Sequence, residues 1–457
     1  MTELRISGDI QANEFLCRVG LLINRGHIHA AIIEIKRRAG NLDTVTLDNR
    51  KGKMTAMQKL MVWADCLRNE EGLLQADRMF VEVDARLNNQ RGRILSQELT
   101  NLVVREKLNN LYGHIESKNG SVEIRGAWAW RATSSFLPVA REYFDSNILI
   151  INNKQGGCIV AGGFQSSTGK VYIKAHKIVT DDSSLVRGGE ETEIEAREKI
   201  SQESPLSGDI VSMTSDNIDL TVGLVAKGMA IIQQNGSKTL ELKKNKMKAR
   251  MMSVDAHHLS YSQDSFEASD SLNIFLRESQ DILTPIRNSG SVHLVYSEKA
   301  SRPIHILADI SAAAKTKPSI AQEKSKNDAA KSTSHADNQS KLDAQGKSKL
   351  DTQEQPKEKS TQGKPGAENG EDAKQKANMQ AARGPKKNSD IHIESSAKPI
   401  IIGRDNIFVT IGASGKNTIE APAIDLVRGS VASNQAILLT ADRIKLGRLI
   451  DFSLGCS

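Results

Sequence analysis

The chain has few aromatic residues and few cysteines, and each shortage excludes a class of structure. Phe, Trp and Tyr make up 4% of the 457 residues, which is too little for a conventional core. This shortage is compatible with a repeat fold whose interior consists of stacked Leu, Ile, Val and Ala. The four cysteines are far apart and show neither a CxxC nor a Cys/His ligand spacing. The sequence therefore predicts neither a zinc site nor a disulfide framework.

The chain also lacks a long apolar run. None of its apolar stretches approaches the roughly 20 residues that a membrane-spanning helix needs, so we expect no membrane span. The polar start, from Thr2 to Gly8, does not have the charged and then apolar order of a signal peptide. Taken alone, this start predicts a cytoplasmic protein or a chain that begins within a gene.

Positive charge is in excess, but it is concentrated in one segment. The net charge is +7, and residues 313–392 hold 16 Lys or Arg against 11 Asp or Glu. The same stretch has no aromatic residue and is rich in Lys, Gln, Ser, Ala and Asp, a composition that cannot bury enough surface to fold. We therefore predict a disordered, solvated linker over 313–392 and no nucleic-acid partner.

A repeat of about 20 residues fills the N-terminal part of the chain. Its pattern is LxNxxGx(I/L/M)x(A/S), with successive glycines 20, 20 and 21 residues apart. The repeated positions are Asn49, Gly52, Asn69, Gly72, Asn89, Gly92, Asn110 and Gly113. Looser copies begin at Gly8 and Leu22, so about six copies precede residue 130. We predict that these residues are structural positions of stacked coils.

The residue types within one repeat predict short strands joined by tight turns. Alternation after the glycine puts Ile94 and Ser96 inward and Leu95 outward. Glycine at the turn supplies a positive φ or a close backbone approach, and Asn tolerates the left-handed conformation. Coils stacked about 4.8 Å apart would align the asparagines in an amide ladder. Leucine-rich repeats also have periods of this length, but their LxxLxLxxN order differs.

The alignment predicts that the second half of each repeat keeps the same register. Met61 and Trp63 align with Val81 and Val83, and those align with Leu102 and Val104 after a one-residue insertion. The fold class that we predict is all-β: a right-handed parallel β-helix, or solenoid, with a long disordered insertion.

These repeats resemble those of the filamentous-haemagglutinin family, which includes contact-dependent-inhibition effectors exported by two-partner secretion. The resemblance covers residues 4–126 and lies in the LxNxxGxIxA unit followed by a short strand. It implies a β-helix that is secreted or displayed at the cell surface, an outer-membrane transporter as partner, and a receptor or glycan on a host or neighbouring cell. The secretion region and the toxin domain of that family have no recognisable counterpart, which predicts a fragment or a truncated, cytoplasmic remnant.

The remaining chain divides into four further parts. Residues 127–168 form an aromatic-rich junction, and residues 169–312 carry irregular coils with alternation but without the Gly and Asn marks. Beyond the linker at 313–392, residues 393–457 resume a 20-residue spacing, as between Ile424 and Ile444. We predict that the linker is a loop extruded from one turn of the solenoid, because closing a long loop costs little more than closing a short one.

A possible contact patch lies in the junction. Aromatic side chains favour interfaces, and an alternative is a packed junction between two parts of the shaft. The residues are Trp128, Trp130, Phe136, Tyr143 and Phe144.

Candidates for chemistry are weak. His257 and His258 are adjacent, so in a strand they would point to opposite faces and could not share a metal ion. His27 and His29 share a strand face, but no acidic or cysteine residue accompanies them as a further metal ligand. The acidic run from Glu190 to Glu195 and the pair Asp181–Asp182 do not stack at the coil period, and Gly162–Gly163 lacks the phosphate-loop pattern.

We therefore predict no catalytic site, no cofactor and no metal, and expect that the chain is not an enzyme. The first functional hypothesis is a structural shaft or adhesin segment. The alternatives are the carrier stick of a contact-dependent growth-inhibition toxin that lacks its toxic C-terminus, and a β-helix enzyme acting on polysaccharides.

Overall fold

A computed structural model describes residues 3–36, 45–126, 148–162, 168–242, 246–312 and 388–454. Within these ranges every regular element is a strand, and every pairing between strands is parallel. The strands stack as a β-solenoid of about 16 turns. The predicted all-β solenoid class is confirmed.

The N-terminal coils contain fourteen strands. They are β1 (Glu3–Ile6), β2 (Asp9–Gln11), β3 (Glu14–Cys17), β4 (Leu21–Asn24), β5 (His27–Ile35), β6 (Thr46–Asp48), β7 (Lys53–Arg68), β8 (Leu73–Asn88), β9 (Arg93–Val104), β10 (Lys107–Asn109), β11 (His114–Ser117), β12 (Ser121–Arg125), β13 (Ile150–Asn153) and β14 (Cys158–Ala161).

The middle coils contain fourteen more. They are β15 (Lys170–Thr180), β16 (Leu185–Gly188), β17 (Glu191–Gln202), β18 (Leu206–Ser215), β19 (Ile218–Leu220), β20 (Leu224–Gln234), β21 (Thr239–Glu241), β22 (Met247–Ala256), β23 (His258–Ser260), β24 (Phe266–Leu276), β25 (Ile286–Asn288), β26 (Ser291–Tyr296), β27 (Ile304–Ile306) and β28 (Ile310–Ala312).

The C-terminal coils contain seven. They are β29 (Ile391–Ser395), β30 (Ile400–Ile402), β31 (Val409–Ala413), β32 (Lys416–Glu420), β33 (Ala423–Ser433), β34 (Ala436–Thr440) and β35 (Arg443–Leu454).

One coil has three faces, and β8 shows all of them. Its register to β9 shifts after Ala76, so residues 73–76 form face A and residues 78–83 form face B. Residues 86–88 pair with β10 and form face C. The turn at residues 89–92 leads to face A of the next coil. Corners without strand pairing therefore separate the three flat sheets.

The core is a set of apolar columns, one inward side chain from each coil. On face C, Leu47, Leu67, Leu87 and Leu108 are stacked in register and fully buried. Burying one such side chain contributes about 1.5–3 kcal/mol. The alternation predicted after the glycine is confirmed, since Ile94 and Ser96 are buried and Leu95 is half-buried. Repeated aliphatic columns replace the aromatic core that the composition excludes.

The predicted alignment of Met61 and Trp63 is wrong by one residue. Val62 pairs with Val81, and Trp63 pairs with Glu82 on the outer surface. The first corner of β7 has one residue more than that of β8, and the second corner has one fewer, so the error disappears by face C. The glycine spacing of 20 conceals both changes.

The predicted insertion lies within one corner of one coil. Ala312 ends β28 on face A, and Ile391 begins β29 on face B. In the coils below and above, the same corner has only two residues between Asn288 and Ser291 and between Ala413 and Lys416. Strands on both sides of the insertion pair directly, β26 with β29 and β28 with β31. The solenoid therefore continues past the insertion.

Two predicted boundaries shift. β29 begins at Ile391, inside the segment predicted as linker over 313–392, while the predicted disorder of residues 313–387 lies outside the described residues. β13 and β14 lie inside the segment predicted as a junction over 127–168, and both pair with regular coils. Asn153 occupies the repeat asparagine position, but the 20-residue period does not reveal it because Asn153 follows Asn110 by 43 residues.

Candidate functional site

Six buried asparagines form an unbroken column at the corner between faces C and A. In the first five, the side-chain Nδ2 donates to the Oδ1 of the asparagine one coil further on, at 2.7–2.8 Å. All six are fully buried. The members are Asn24, Asn49, Asn69, Asn89, Asn110 and Asn153. The amide protons also reach turn carbonyls, as from Asn69 to the backbone oxygens of Gly72 and Arg93 at 3.3 Å. The column thus satisfies polar groups that would otherwise be buried without partners.

The repeat glycines are required by close approach, not by backbone conformation. A Cβ at Gly92 would lie 2.0 Å from the carbonyl oxygen of Asn69 in the preceding coil. The positive φ belongs to the preceding residue, for example 54° at Arg91 and 58° at Glu71. The expectation that the asparagine takes the left-handed conformation is therefore wrong. Its side chain is needed in the ladder.

The ladder ends in the coil after Asn153, where Thr180 takes the equivalent position. Beyond it the corner is closed by other polar side chains. Gln202 donates to the carbonyl oxygen of Ser204 at 2.8 Å, and Thr180 accepts from the backbone nitrogen of Glu203 at 3.0 Å. Several residue types can make such local bonds, which explains why the Asn and Gly marks fade while the coils continue.

The corner between faces B and C carries a shallow groove. It has a volume of about 350 Å³ and opens to solvent. Its described lining residues are Lys36, Trp63, Ala64, Glu82 and Asp84. We call it the Trp63 groove. Sequence reasoning missed it because the alignment matched Trp63 to Val83, which is buried in the structure, instead of to Glu82.

Charge and aromatic surface meet in the Trp63 groove. The Nζ of Lys36 lies 4.9 Å from the centroid of the Trp63 ring and forms an ion pair with Glu34. On the next coil, the Nζ of Lys59 lies 5.3 Å from the ring of Phe80. Each cation comes from the coil preceding its aromatic partner. The outer part of face B thus presents aromatic rings, two ammonium groups and several carboxylates.

The predicted contact patch of Trp128, Trp130, Phe136, Tyr143 and Phe144 lies outside the described residues. The described strands on either side, β12 on face B and β13 on face C, flank the same corner as the Trp63 groove. Strands β5 and β6, on either side of residues 37–44, flank this corner as well.

The predicted geometry of His257 and His258 is wrong, because His257 lies at a corner and not within a strand. Both rings approach one carboxylate, that of Glu278, at 3.7 and 3.8 Å. His27 and His29 share a face as expected, with ring centroids 5.9 Å apart. Among the residues that the structure describes, no group of three or more His, Cys, Asp or Glu side chains is arranged to hold a metal ion.

Four of the acidic residues considered for catalysis take part in contacts between coils. Lys170 bridges Glu190 at 3.3 Å and Glu191 at 3.1 Å, and Lys174 bridges Glu195 at 3.0 Å. Asp181 accepts from the backbone nitrogen of Gln155 at 2.6 Å. These contacts join neighbouring coils.

Comparison with known proteins adds no relative. Neither a protein-family model nor a curated protein nor a solved structure matches this chain. In the part of the chain that the structure describes, no helix has the length and apolar character for a membrane crossing. The fold and the arrangement of side chains therefore carry the functional argument.

Proposed function

We propose that the chain is a structural shaft or adhesin segment of a haemagglutinin-like exoprotein that is displayed or secreted and mediates cell contact. The observation that carries this proposal is the continuity of the solenoid across the insertion. The strands before residue 313 and after residue 388 pair directly, so the stack of coils is continuous from one side of this segment to the other.

Such continuity suits a shaft. Sixteen coils at about 4.8 Å each extend for roughly 75 Å, and outward positions repeat along that length. Weak contacts that repeat on one rigid element can add to a useful avidity. The polar asparagine column fixes the register of the first coils, which keeps outward residues at constant spacing.

The resemblance of the LxNxxG repeats supplies the biological setting of the proposal. It supports export through an outer-membrane transporter of the two-partner-secretion type, and a receptor or glycan on another cell as the binding partner. The Trp63 groove favours cell contact over a purely mechanical role, because it places aromatic and charged groups on an open outer face.

The test is labelling of intact cells that produce the chain with an antibody raised against residues 45–126. Surface labelling equal to that of permeabilised cells, together with reduced attachment of a deletion strain to target cells, is the expected result. Labelling only after permeabilisation contradicts the proposal. An antibody against a cytosolic enzyme, run in parallel, controls for leakage.

A further inference from the structure

Two histidines lie side by side where the solenoid resumes after the insertion. His293 of β26 and His392 of β29 are register partners on face B, although they are far apart in the sequence. Their ring centroids lie 6.0 Å apart, with an angle of 47° between the ring planes. Both side chains point outward and are half-buried. Two imidazoles, the commonest metal-binding groups of proteins, therefore share one surface.

The backbone under the two rings is held by the core. Four flanking residues, in two register pairs, point inward and are fully buried: Val292 with Ile391, and Leu294 with Ile393. Because neighbouring strands lie about 4.8 Å apart, the two histidine side chains start from positions at that separation. A ligand thus meets two groups on rigid strands, and no loop has to become ordered when it binds.

The separation of the rings suits a shared metal ion. A tetrahedral zinc ion binds each ligand nitrogen at about 2.0–2.1 Å, which places two ligand nitrogens roughly 3.3 Å apart. The terminal torsion of a histidine side chain is soft, so the rings can turn at little cost. Such a rotation brings one nitrogen of each ring to the required separation from centroids that lie 6.0 Å apart.

One carboxylate already contacts this pair. The Nε2 of His392 lies 3.3 Å from a carboxylate oxygen of Glu394, two residues further along the strand. Among the residues that the structure describes, neither ring has a further hydrogen-bond partner, which leaves the Nδ1 of His392 and the ring of His293 for a ligand. A carboxylate on one ring nitrogen commonly orients a histidine that binds a metal ion through the other.

We propose that His293 and His392 together bind one divalent transition-metal ion of the zinc type, with water in the remaining positions, and that this ion joins the coils on the two sides of the insertion. Imidazole suits zinc, copper and nickel, whereas magnesium and calcium take oxygen ligands. We expect reversible binding, because two protein ligands are fewer than the three or four of dedicated zinc sites. The site does not depend on the shaft role, since it is built from β26 and β29 alone.

The pair of His27 and His29 provides the comparison. Their ring centroids are 5.9 Å apart, but both lie on one strand, and the Nε2 of His27 lies 3.3 Å from the Oγ1 of Thr55. Alternate residues of one strand are about 6.6 Å apart along it, further than register partners on neighbouring strands. An ion bound by this pair alone would link no coils. His29→Gln is therefore the matched control.

The experiment is calorimetric titration of Zn²⁺ into the purified, chelator-treated full chain at pH 7.5, with Mg²⁺ in parallel. Zinc should bind, and both His293→Gln and His392→Gln should weaken the tightest zinc binding at least tenfold. His29→Gln should bind zinc as the unmodified chain does, and magnesium should not bind comparably. The proposal is overturned by no zinc binding, by equal binding of magnesium, by binding that survives both substitutions, or by an equal loss in His29→Gln.

The double variant tests whether the two rings share one ion. Loss of either ring already removes the shared site, so the variant that carries both His293→Gln and His392→Gln should bind zinc no more than about twofold more weakly than either single variant. Losses in affinity that multiply would mean two separate sites, which overturns the proposal.

Thr418→His guards against misfolding. Thr418 is the register partner of His392 on the next coil, and its half-buried side chain points outward. A third imidazole beside the pair should increase zinc affinity at least tenfold, and a gain cannot arise from unfolding. Circular dichroism checks the fold of every variant. Unchanged or weaker zinc binding in a folded Thr418→His variant overturns the location of the site.

The thermal midpoint tests the link between the coils. Saturating zinc should raise the midpoint of the unmodified chain, because an ion that binds only the folded state stabilises it. The same zinc concentration should leave the midpoint of His293→Gln unchanged. A rise of equal size in His293→Gln overturns the role of the ion at this joint.

Discussion

The side-chain nitrogen of Asn69 donates to the Oδ1 of Asn89 at 2.8 Å, although the two residues are 20 positions apart. Asn69 in turn accepts from Asn49 at 2.7 Å. Each amide in the column is therefore both donor and acceptor, and the column joins successive coils in one register. A slip of one residue would turn these side chains outward and leave buried turn carbonyls without partners.

Asn69→Ala should destabilise the N-terminal coils strongly. The substitution removes the bond to Asn89 and those to the carbonyl oxygens of Gly72 and Arg93. Because the buried Oδ1 of Asn89 loses its donor and the buried Nδ2 of Asn49 loses an acceptor, we expect a loss of about 3 kcal/mol. Urea denaturation followed by circular dichroism measures it. Asn88→Ala, next to the ladder and half-buried, should lose less than about 1 kcal/mol, and an equal loss in both variants would contradict the ladder's role.

Gly92→Ala should disrupt the turn by steric conflict. The new methyl group would lie 2.0 Å from the Asn69 carbonyl oxygen and 2.5 Å from the Asn89 Oδ1, so neighbouring coils must separate. We expect a loss of more than about 2 kcal/mol, measured as the shift in thermal midpoint.

The preceding residue provides the control for that experiment. Arg91 has a φ of 54°, which glycine adopts readily, so Arg91→Gly should be neutral or slightly stabilising. If Arg91→Gly were as harmful as Gly92→Ala, close approach would not be the reason for the repeat glycine.

Asp48→Asn should remove a contribution to stability that depends on pH. Burial alone would raise the pKa of Asp48, but hydrogen bonds from Arg50 and Arg25 lower that pKa well below its usual range. The folded chain therefore binds fewer protons than the unfolded chain, so this stabilisation is present above about pH 4 and is lost as pH falls further. At pH 7 we expect a loss of about 1–2 kcal/mol in the variant.

Denaturation of both proteins at pH 7 and pH 3 tests this. The difference between Asp48→Asn and the unmodified chain should narrow at pH 3. A difference that stays constant would contradict the assignment. Glu98→Gln, in the exposed pair of Arg78 and Glu98, should cost less than about 0.5 kcal/mol at either pH.

His293 should make the joint between β26 and β29 sensitive to acid. Its ring lies 6.0 Å from that of His392 across the ladder. Burial and the neighbouring His392 lower the pKa of His293, whereas Asp390 acts in the opposite direction. The folded chain then binds fewer protons than the unfolded chain, so stability declines as pH falls through about 6.5.

His293→Gln should reduce that decline, measured as the thermal midpoint between pH 7.5 and 5.5. A variant with an unchanged pH profile would show that other groups cause the sensitivity. His29→Gln, an outward residue on an earlier coil, is the matched substitution, and it should leave the profile as it is.

The sequence predicts the solenoid because stacked coils require the same residue types at equivalent positions, and these positions recur at a fixed spacing. Gly52, Gly72 and Gly92 repeat since each meets the backbone of the coil before it, and the asparagines repeat since each bonds to the next. Corner lengths follow no such rule. Asn153 stayed hidden because it follows its ladder partner Asn110 by 43 residues instead of about 20.

The candidate groove could not be predicted for the same reason. Two compensating changes of corner length around β7 reverse which side of the sheet Trp63 occupies, while the spacing of the glycines remains 20. The sequence itself contained a usable signal, because the aliphatic residues Leu60, Val62 and Ala64 alternate with more polar or larger neighbours. These three residues are the buried ones in the structure. Alignment on β-strand alternation within each coil would have placed Trp63 outside.

The most direct test of the account is a specific cut in the insertion. A protease recognition sequence placed after Leu350 in the full chain allows cleavage under native conditions. Because Leu294 stacks under Ile393 and Ile310 pairs with Ile411, we expect both fragments to elute together from a gel-filtration column and to separate only in denaturant. Fragments that separate in native buffer would contradict the continuous solenoid.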